Sequence, residues 1–357
     1  MAAPAITKPI RLSLEEARAL ARDVFAGNGC SDHVADVMAN SILLCERDGP
    51  ASHGFFAIEN YLAGLRRGYV DGRAVPTAER AAPGVIRVDG QKGWNQVAIH
   101  RFCDDLVKAA REAGIATLAI RNGHNVGPLR HDVEPLAEAG LVAFTCVVSR
   151  PHMTPHRGAR KIFGTDPIAF ACPRREGPPI VWDMATSAIS LMEMRVAAET
   201  GAAIPPDAAV DKNGAPTTDS RAAIEGGMLL PMAGHKGSAI AFMVELLAAG
   251  LTGGRFAFEN ADPDASDFVG ANRGQIIIAM DPDRIHGPGF TDRVADLLAA
   301  YAGATEERVP GDGRLARRAK ADAKGITLDA EVLGTVRAVA DPGTPVRDRL
   351  ADSDRKL

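Results

Sequence analysis

Cysteine is scarce and scattered in this chain of 357 residues. Cys30, Cys45, Cys103, Cys146 and Cys172 are odd in number and far apart, without the close pairs of a disulfide framework or a thiolate zinc site, so no metal centre is expected. Cys45, Cys146 and Cys172 sit in apolar patterns, where a free thiol behaves as a small hydrophobe, and a cytoplasmic, reducing setting fits. Charge of one sign is not in excess either: 41 Lys and Arg face 45 Asp and Glu, spread along the chain, which offers nucleic acid nothing. Met1 to Pro9 lacks the basic segment and apolar run of a signal peptide. The most apolar stretch, Gly237 to Gly254, has Glu245 at its centre; a carboxylate at mid-bilayer costs about 3 kcal/mol, so a buried helix is expected and no membrane partner. No Gly-x-Gly-x-x-Gly follows a strand pattern, which argues against a Rossmann nucleotide site. Internal repeats and low-complexity tracts are absent too.

A chain of this length exceeds one core, so two lobes are expected. Ser13 and Glu16 form a capping-box pattern before Leu14, Ala17, Leu20, Ala21 and Val24 at helical spacing. A second helix is expected after Ser31, ending near Asp48-Gly49-Pro50 and placing Ser52 and His53 at a turn. Ile58, Leu62 and Leu65 predict a helix to Gly68, Gly84 to Val97 short strands, and Ala98 to Glu112 a helix closed by Gly114. Strands follow at Ile115 to Ile120, Leu141 to Val148, Ile168 to Cys172, Ile180 to Asp183 and Gln275 to Met280, with helices at Leu129 to Ala139 and Gly289 to Tyr301. Ile204 to Thr218 and Phe256 to Gly274 read as surface excursions. The tail carrying Arg314, Arg317, Arg318, Lys320 and Lys324 reads as a solvated basic face, or as one able to reach a cofactor phosphate.

Two fragments bracket a probable ligand site: Phe163-Gly164-Thr165-Asp166-Pro167, leading to Asp183-Met184-Ala185-Thr186-Ser187, and Gly234-His235-Lys236-Gly237. Asp183 closes an apolar run, where an acid at a strand end can meet ribose or backbone amides. Lysine at a helix start is unfavourable against the dipole unless an anion is present, so Lys236 suits a phosphate. Thr165 can donate to a carboxylate. Arg150, His152, Arg157 and Arg160 could form an anion site after the Leu141 to Val148 strand. A histidine such as His53 titrates near working pH and can donate a proton within about 3 Å.

With Asp48-Gly49, Ser52-His53-Gly54, Asp132-Val133-Glu134-Pro135, Gly158-Ala159-Arg160-Lys161 and Gly234-His235-Lys236-Gly237-Ser238, these fragments resemble the type 2 malate/L-lactate dehydrogenase family. Those nicotinamide-dependent oxidoreductases are unrelated in fold to ordinary lactate dehydrogenase, and the likeness extends to their Δ1-piperideine-2-carboxylate/Δ1-pyrroline-2-carboxylate reductases. It implies an α/β protein whose non-Rossmann NAD(P)-binding sheet domain, 119–304, accompanies a substrate and dimerisation domain built from 1–118 with 305–357. It implies Ser52 as charge relay, His53 as proton donor and Glu193 as their carboxylate, with Thr165 and, as a replacement anion contact, Arg160 on the substrate. NADPH or NADH would touch His124, Asn125, Val126, Gly127, Asp183, Met184, Ala185, His235, Lys236, Pro310, Gly311 and Arg314. A homodimer is implied, with the cleft completed by the partner and the apolar helices around Val34 to Ile42 and Gly237 to Leu251 available for packing.

The pattern breaks in places. Ala57 stands where the family carries the arginine that grips the substrate carboxylate, Asn125 where a loop histidine lies, Asp166 where Asn is usual, and Gly313 where an arginine often does. The expected activity is reduction of a small cyclic imino acid. Its rivals are oxidation of a 2-hydroxy acid (malate, lactate, ureidoglycolate or sulfolactate) and cofactor binding with altered catalysis.

Overall fold

The computed structural model describes residues 9–49, 51–260 and 272–346; Pro50, most of the excursion expected at Phe256 to Gly274 and the end of the tail lie outside them. Strand β1 (Ile10–Leu12) leads into α1 (Leu14–Gly27), whose capping box closes as expected: Ser13 N donates to Glu16 Oε2 at 2.7 Å and Glu16 N to Ser13 Oγ at 3.1 Å. Ser31 caps α2 (Asp32–Asp48), and two short 3-10 turns, Ala51–His53 and Phe55–Ala57, carry the chain into α3 (Ile58–Arg66). The apolar faces of α1, α2 and α3 share one hydrophobic cluster with Ala321, Ile326, Leu328, Leu333, Val336 and Val339, which binds the two ends of the chain together.

The central sheet uses β2 (Thr77–Ala82), β3 (Val85–Asp89), β4 (Ile115–Gly123), β5 (Val142–Val147), β6 (Ile168–Cys172), β7 (Ile180–Met184) and, after the short hairpin β8 (Ala209–Val210) and β9 (Met228–Leu229), β10 (Arg273–Met280). Its order is β2-β3-β4-β10-β5-β6-β7, and β3 with β4 is the one parallel pair. Helices α4 (Asn95–Ala113) and α5 (Arg130–Glu138) pack on the sheet; α6 (Leu191–Thr200), α7 (Ser220–Ile224) and α8 (His235–Val244) follow. After β10 come α9 (Pro282–Ile285), α10 (Phe290–Ala304), α11 (Gly313–Lys324), β11 (Ile326–Leu328), which pairs with β1, and α12 (Ala330–Val339).

Several expectations shift. The cut at residue 118 falls inside β4, and the sheet also recruits Thr77 to Asp89 from the segment assigned to the terminal lobe. Ile204 to Thr218 is no plain excursion: Ile204, Ala208 and Ala209 are buried in a cluster with Met153, Phe163 and Met194. The apolar helix after Gly237 is not buried throughout. α8 runs on as a π-helical turn, Glu245–Gly250, that turns Val244, Ala248 and Ala249 to the sheet and leaves Phe242 and Leu251 58% and 67% exposed. No helix among the described residues is long and apolar enough to cross a membrane.

The basic tail is only in part a solvated face: Arg317, Lys320 and Lys324 are exposed, while Arg314 and Arg318 are drawn inward. Arg318 on α11 donates from Nε to Asp48 Oδ1 (2.9 Å) and from Nη2 to Glu134 Oε2 (2.8 Å), while Arg314 Nη1 reaches Glu134 Oε1 at 2.9 Å. Arg47 adds a 2.8 Å bond to Asp48. Burial alone would raise the Asp48 carboxyl, but hydrogen bonds from Arg318 and Arg47 hold it well below the usual carboxylate range. The cluster joins α2, α5 and α11. Truncating one member leaves the rest buried and uncompensated, a loss of about 3–5 kcal/mol. Asp48→Ala and Arg318→Met should each lower the urea midpoint accordingly; a shift no larger than that of an exposed pair such as Arg293–Asp296 would count against this clamp.

A second buried pair sits under Thr165. Asp166, with φ +37, accepts from Ser149 N (3.3 Å), and its carboxyl faces that of Glu245 on the π turn, which accepts from Ala257 N at 3.1 Å. Burial raises both carboxyls, Glu245 to about 7, and two buried carboxyls that feel each other's charge favour holding one proton between them. Because the folded chain holds this proton more tightly than the unfolded one, the pair's stabilisation is complete below about pH 4.5 and fades as pH rises through about 7. Asp166→Asn supplies a permanent donor and tolerates the positive φ. It should gain about 1–3 kcal/mol on the parent between pH 5 and pH 8 in denaturant titrations, and an identical pH dependence for the two proteins would refute the shared proton.

Candidate active site

The turn after α2 is built to hold His53. Ser52 Oγ lies 3.2 Å from His53 Nδ1, and Tyr61 Oη donates to the His53 carbonyl at 2.7 Å. Glu46, one turn before the end of α2, accepts from Phe55 N at 2.7 Å. Gly54 makes that approach possible, since a Cβ there would lie 2.0 Å from Glu46 Oε1. With Nδ1 engaged, Nε2 is the atom left to exchange a proton with a ligand. Burial lowers the His53 pKa, the nearby Asp183 carboxylate raises it, and Arg130 lowers it.

The opposite wall comes from the sheet. β6 and β7 pair with Ile168 opposite Met184, which brings the Thr165 turn against the Asp183 run. Thr186 fastens the two, donating from N (2.8 Å) and Oγ1 (3.0 Å) to the Thr165 carbonyl. Ser149 Oγ accepts from Thr165 N at 2.9 Å and lies 3.4 Å from its hydroxyl. At the first residue of α5, Arg130 Nη1 donates to Asp183 Oδ1 at 3.0 Å. Ser52, His53, Asp183 and Arg130 thus converge, with Thr165 linked to them through the Thr186 latch.

Other expected residues land elsewhere. Glu193 does not support His53: it is the third residue of α6, exposed, with its carboxylate accepting from Ser190 N at 3.0 Å in a second capping box. Asp183 is the carboxylate whose charge reaches the imidazole. Arg160 lies exposed on the loop after Arg157. His124 and Asn125 face inward: burial drives the His124 pKa well below its ordinary value, and Asn125 Nδ2 donates to Gln275 Oε1 at 3.0 Å. Val126 packs against the terminal cluster and gives its carbonyl to Gln96, while Gly127 turns with φ +76. Arg314 is engaged by Glu134, so the cofactor contact expected of it has no free guanidinium edge at Nη1.

Three residues that no motif announced complete the site: Arg130, Tyr61 and Glu46. Burial pushes Glu46 up to about 7, against the hydrogen bond from Phe55. The groups that a reduced nicotinamide dinucleotide needs are present in kind. His235 and Lys236 stand exposed at the first turn of α8 behind Gly234, where the Lys236 ammonium suits a phosphate. Pro310-Gly311 lies over β7, where a Cβ on Gly311 would sit 1.8 Å from the Val181 carbonyl, and Met184 beside Asp183 is open to solvent.

The family model for malate/L-lactate dehydrogenase matches residues 12–337. A Δ1-pyrroline-2-carboxylate/Δ1-piperideine-2-carboxylate reductase from Pseudomonas syringae pv. tomato is 46% identical over 312 residues, 87% of this chain and 90% of the relative. A (2R)-3-sulfolactate dehydrogenase (NADP+) from Chromohalobacter salexigens is 36% identical over 92% of this chain and 98% of its own. The crystal structure of the Δ1-piperideine-2-carboxylate reductase from Pseudomonas syringae superposes with a TM-score of 0.89 at 43% identity, covering 92% of this chain and 99% of that one. Family model, relatives and fold agree, and the chain belongs to the malate/L-lactate dehydrogenase family of oxidoreductases.

Proposed function

We propose that the protein is a cytoplasmic, NADPH- or NADH-dependent reductase of a small cyclic imino acid of the Δ1-piperideine-2-carboxylate or Δ1-pyrroline-2-carboxylate type. The convergence of His53, Ser52 and Asp183 carries this reading, because reduction of a C=N bond needs a proton donor beside the hydride acceptor. A bound reduced nicotinamide supplies the hydride. His53 Nε2 delivers the proton to the ring nitrogen, Ser52 orients the imidazole through Nδ1, and Asp183 offsets the desolvation that disfavours its cation. Thr165 offers its hydroxyl to the substrate carboxylate. Asp183 to Ala185, the Pro310-Gly311 turn, and His235 with Lys236 are proposed to hold the nucleotide on a sheet with a single parallel pair, apart from any Rossmann crossover. Five free thiols support the reducing compartment.

With purified protein, loss of reduced-nicotinamide absorbance on a panel of cyclic imino acids, 2-oxo acids and, in reverse, 2-hydroxy acids tests the assignment. His53→Asn should cut kcat about a hundred- to ten-thousand-fold with little change in nucleotide affinity. Since the cationic histidine is the donor, reduction falls as pH rises through its pKa. Asp183 raises that pKa, so Asp183→Asn should move the falling limb to lower pH; an unmoved limb would detach Asp183 from the imidazole.

The exposed apolar residues Phe242, Met243, Leu246 and Leu251 on α8 and its π turn support a homodimer. Sedimentation should give two chains per particle, and Leu246→Asp should shift it to one; a monomeric parent protein would end this part of the reading.

A further inference from the structure

Ala57 removes the guanidinium that the family resemblance would place against the substrate carboxylate, yet a buried arginine stands beside His53 from another element. Arg130 is only 8% exposed. Its Nη1 and backbone N both face the Asp183 carboxylate, at 3.0 and 3.4 Å. The remaining edge is different: Nε and Nη2, the two nitrogens whose N–H bonds run parallel along one side of the guanidinium, are buried and meet no acceptor among the described residues. Leaving charged donors dry and unpaired is costly, and such groups in native proteins have a partner when the protein works. A planar carboxylate fits this edge with two parallel hydrogen bonds.

The position supports the same conclusion. Arg130 is fixed on Asp183, and the charges of both act on the His53 ring, so the guanidinium with the unpaired edge belongs to the site and not to a remote surface. Asp183 neutralises one end of the guanidinium, which keeps it fixed and charged without occupying the other. His131, the next residue, adds no competing charge: burial and the Arg130 cation push its pKa down to about 3.

We propose that Arg130 grips the substrate carboxylate through Nε and Nη2, replacing the arginine absent at Ala57 and making the enzyme selective for 2-carboxylated cyclic imines. The assignment rests on the imine-reductase reading and places the ring's carboxylate toward α5, with its nitrogen toward His53.

The test compares the parent protein, Arg130→Lys and Arg130→Gln on Δ1-piperideine-2-carboxylate and on Δ1-piperideine, which lacks the carboxylate. Pyrrole-2-carboxylate binding is measured by calorimetry with oxidised nucleotide present. Arg130→Gln should raise KM for the acid about ten- to a hundredfold more than it raises KM for Δ1-piperideine and weaken pyrrole-2-carboxylate to match; Arg130→Lys, charged but not forked, should fall between. Equal losses on the acid and the decarboxylated ring, or a loss confined to nucleotide affinity, would reduce Arg130 to a support for Asp183 and overturn the proposal. Circular dichroism and melting of each variant separate unfolding from these outcomes. A parent protein inert on every imine would defeat the functional reading alone, because pyrrole-2-carboxylate affinity still judges Arg130.

Discussion

The geometry of the site depends on a knot of buried charge at the junction of α2, α5 and α11. Asp48 ends α2, four residues before Ser52. Glu134 lies one turn into α5, whose first residue is Arg130. By holding Asp48 and Glu134 together, Arg318 and Arg314 set the proton-donor turn at a fixed height over the helix that presents Arg130 and, through it, Asp183. Charged groups at such a junction cannot slide without losing several hydrogen bonds at once, whereas an apolar contact tolerates small shifts at little cost. A reaction that needs donor and acceptor within about 3 Å gains from that kind of joint.

Behind the site a second polar system fixes the loop after β4. Gln275 accepts from Asn95 and Asn125, both at 3.0 Å, and donates to Asp132 at 2.8 Å and to Thr145 at 3.2 Å. Burial raises Asp132 to about 7 against the Gln275 bond, with the Asp183 charge adding to it. Asn125 is thereby held by its amide nitrogen in a buried polar network. A histidine at 125 would bring a titratable ring into this network, where Asn125 places a fixed amide donor.

Local signals were legible, and long-range ones were not. Ser13 with Glu16, Ser31, and the glycines closing α3 and α4 mark helix ends because capping uses neighbours three or four residues apart. The same rule applies to Ser190 and Glu193, whose spacing is that of a capping box; the family resemblance pointed to the active site, and the local chemistry prevailed. β2 was missed because all its residues are exposed on a sheet edge, so no alternation appears. Arg318 and Asp48 are 270 positions apart, beyond any periodicity, and a basic helix in isolation reads as a wet face. The apolar run after Gly237 hid its two sides because small and large apolar residues score alike, while the apolar residues fully buried in it are Gly, Ala and Val.

Three of the four departures from the family pattern, at Ala57, Asn125 and Asp166, have one physical thread, which is that surroundings and not residue type set the charge a ligand meets. Asp166 would add a negative charge beside a bound carboxylate if it ionised, but burial beside Glu245 raises its carboxyl well above the ordinary value, toward the neutral state that an asparagine has permanently. Asn125 is neutral by nature and gives its amide nitrogen to Gln275. Arg130 stays cationic next to Asp183 and contributes no net charge with it until a carboxylate arrives at its open edge. Summed over these residues, the cleft is close to neutral when empty. Its affinity for a small acid must then come from directed hydrogen bonds more than from a general positive field, and direction distinguishes a planar 2-carboxylate on a ring from other anions of equal charge.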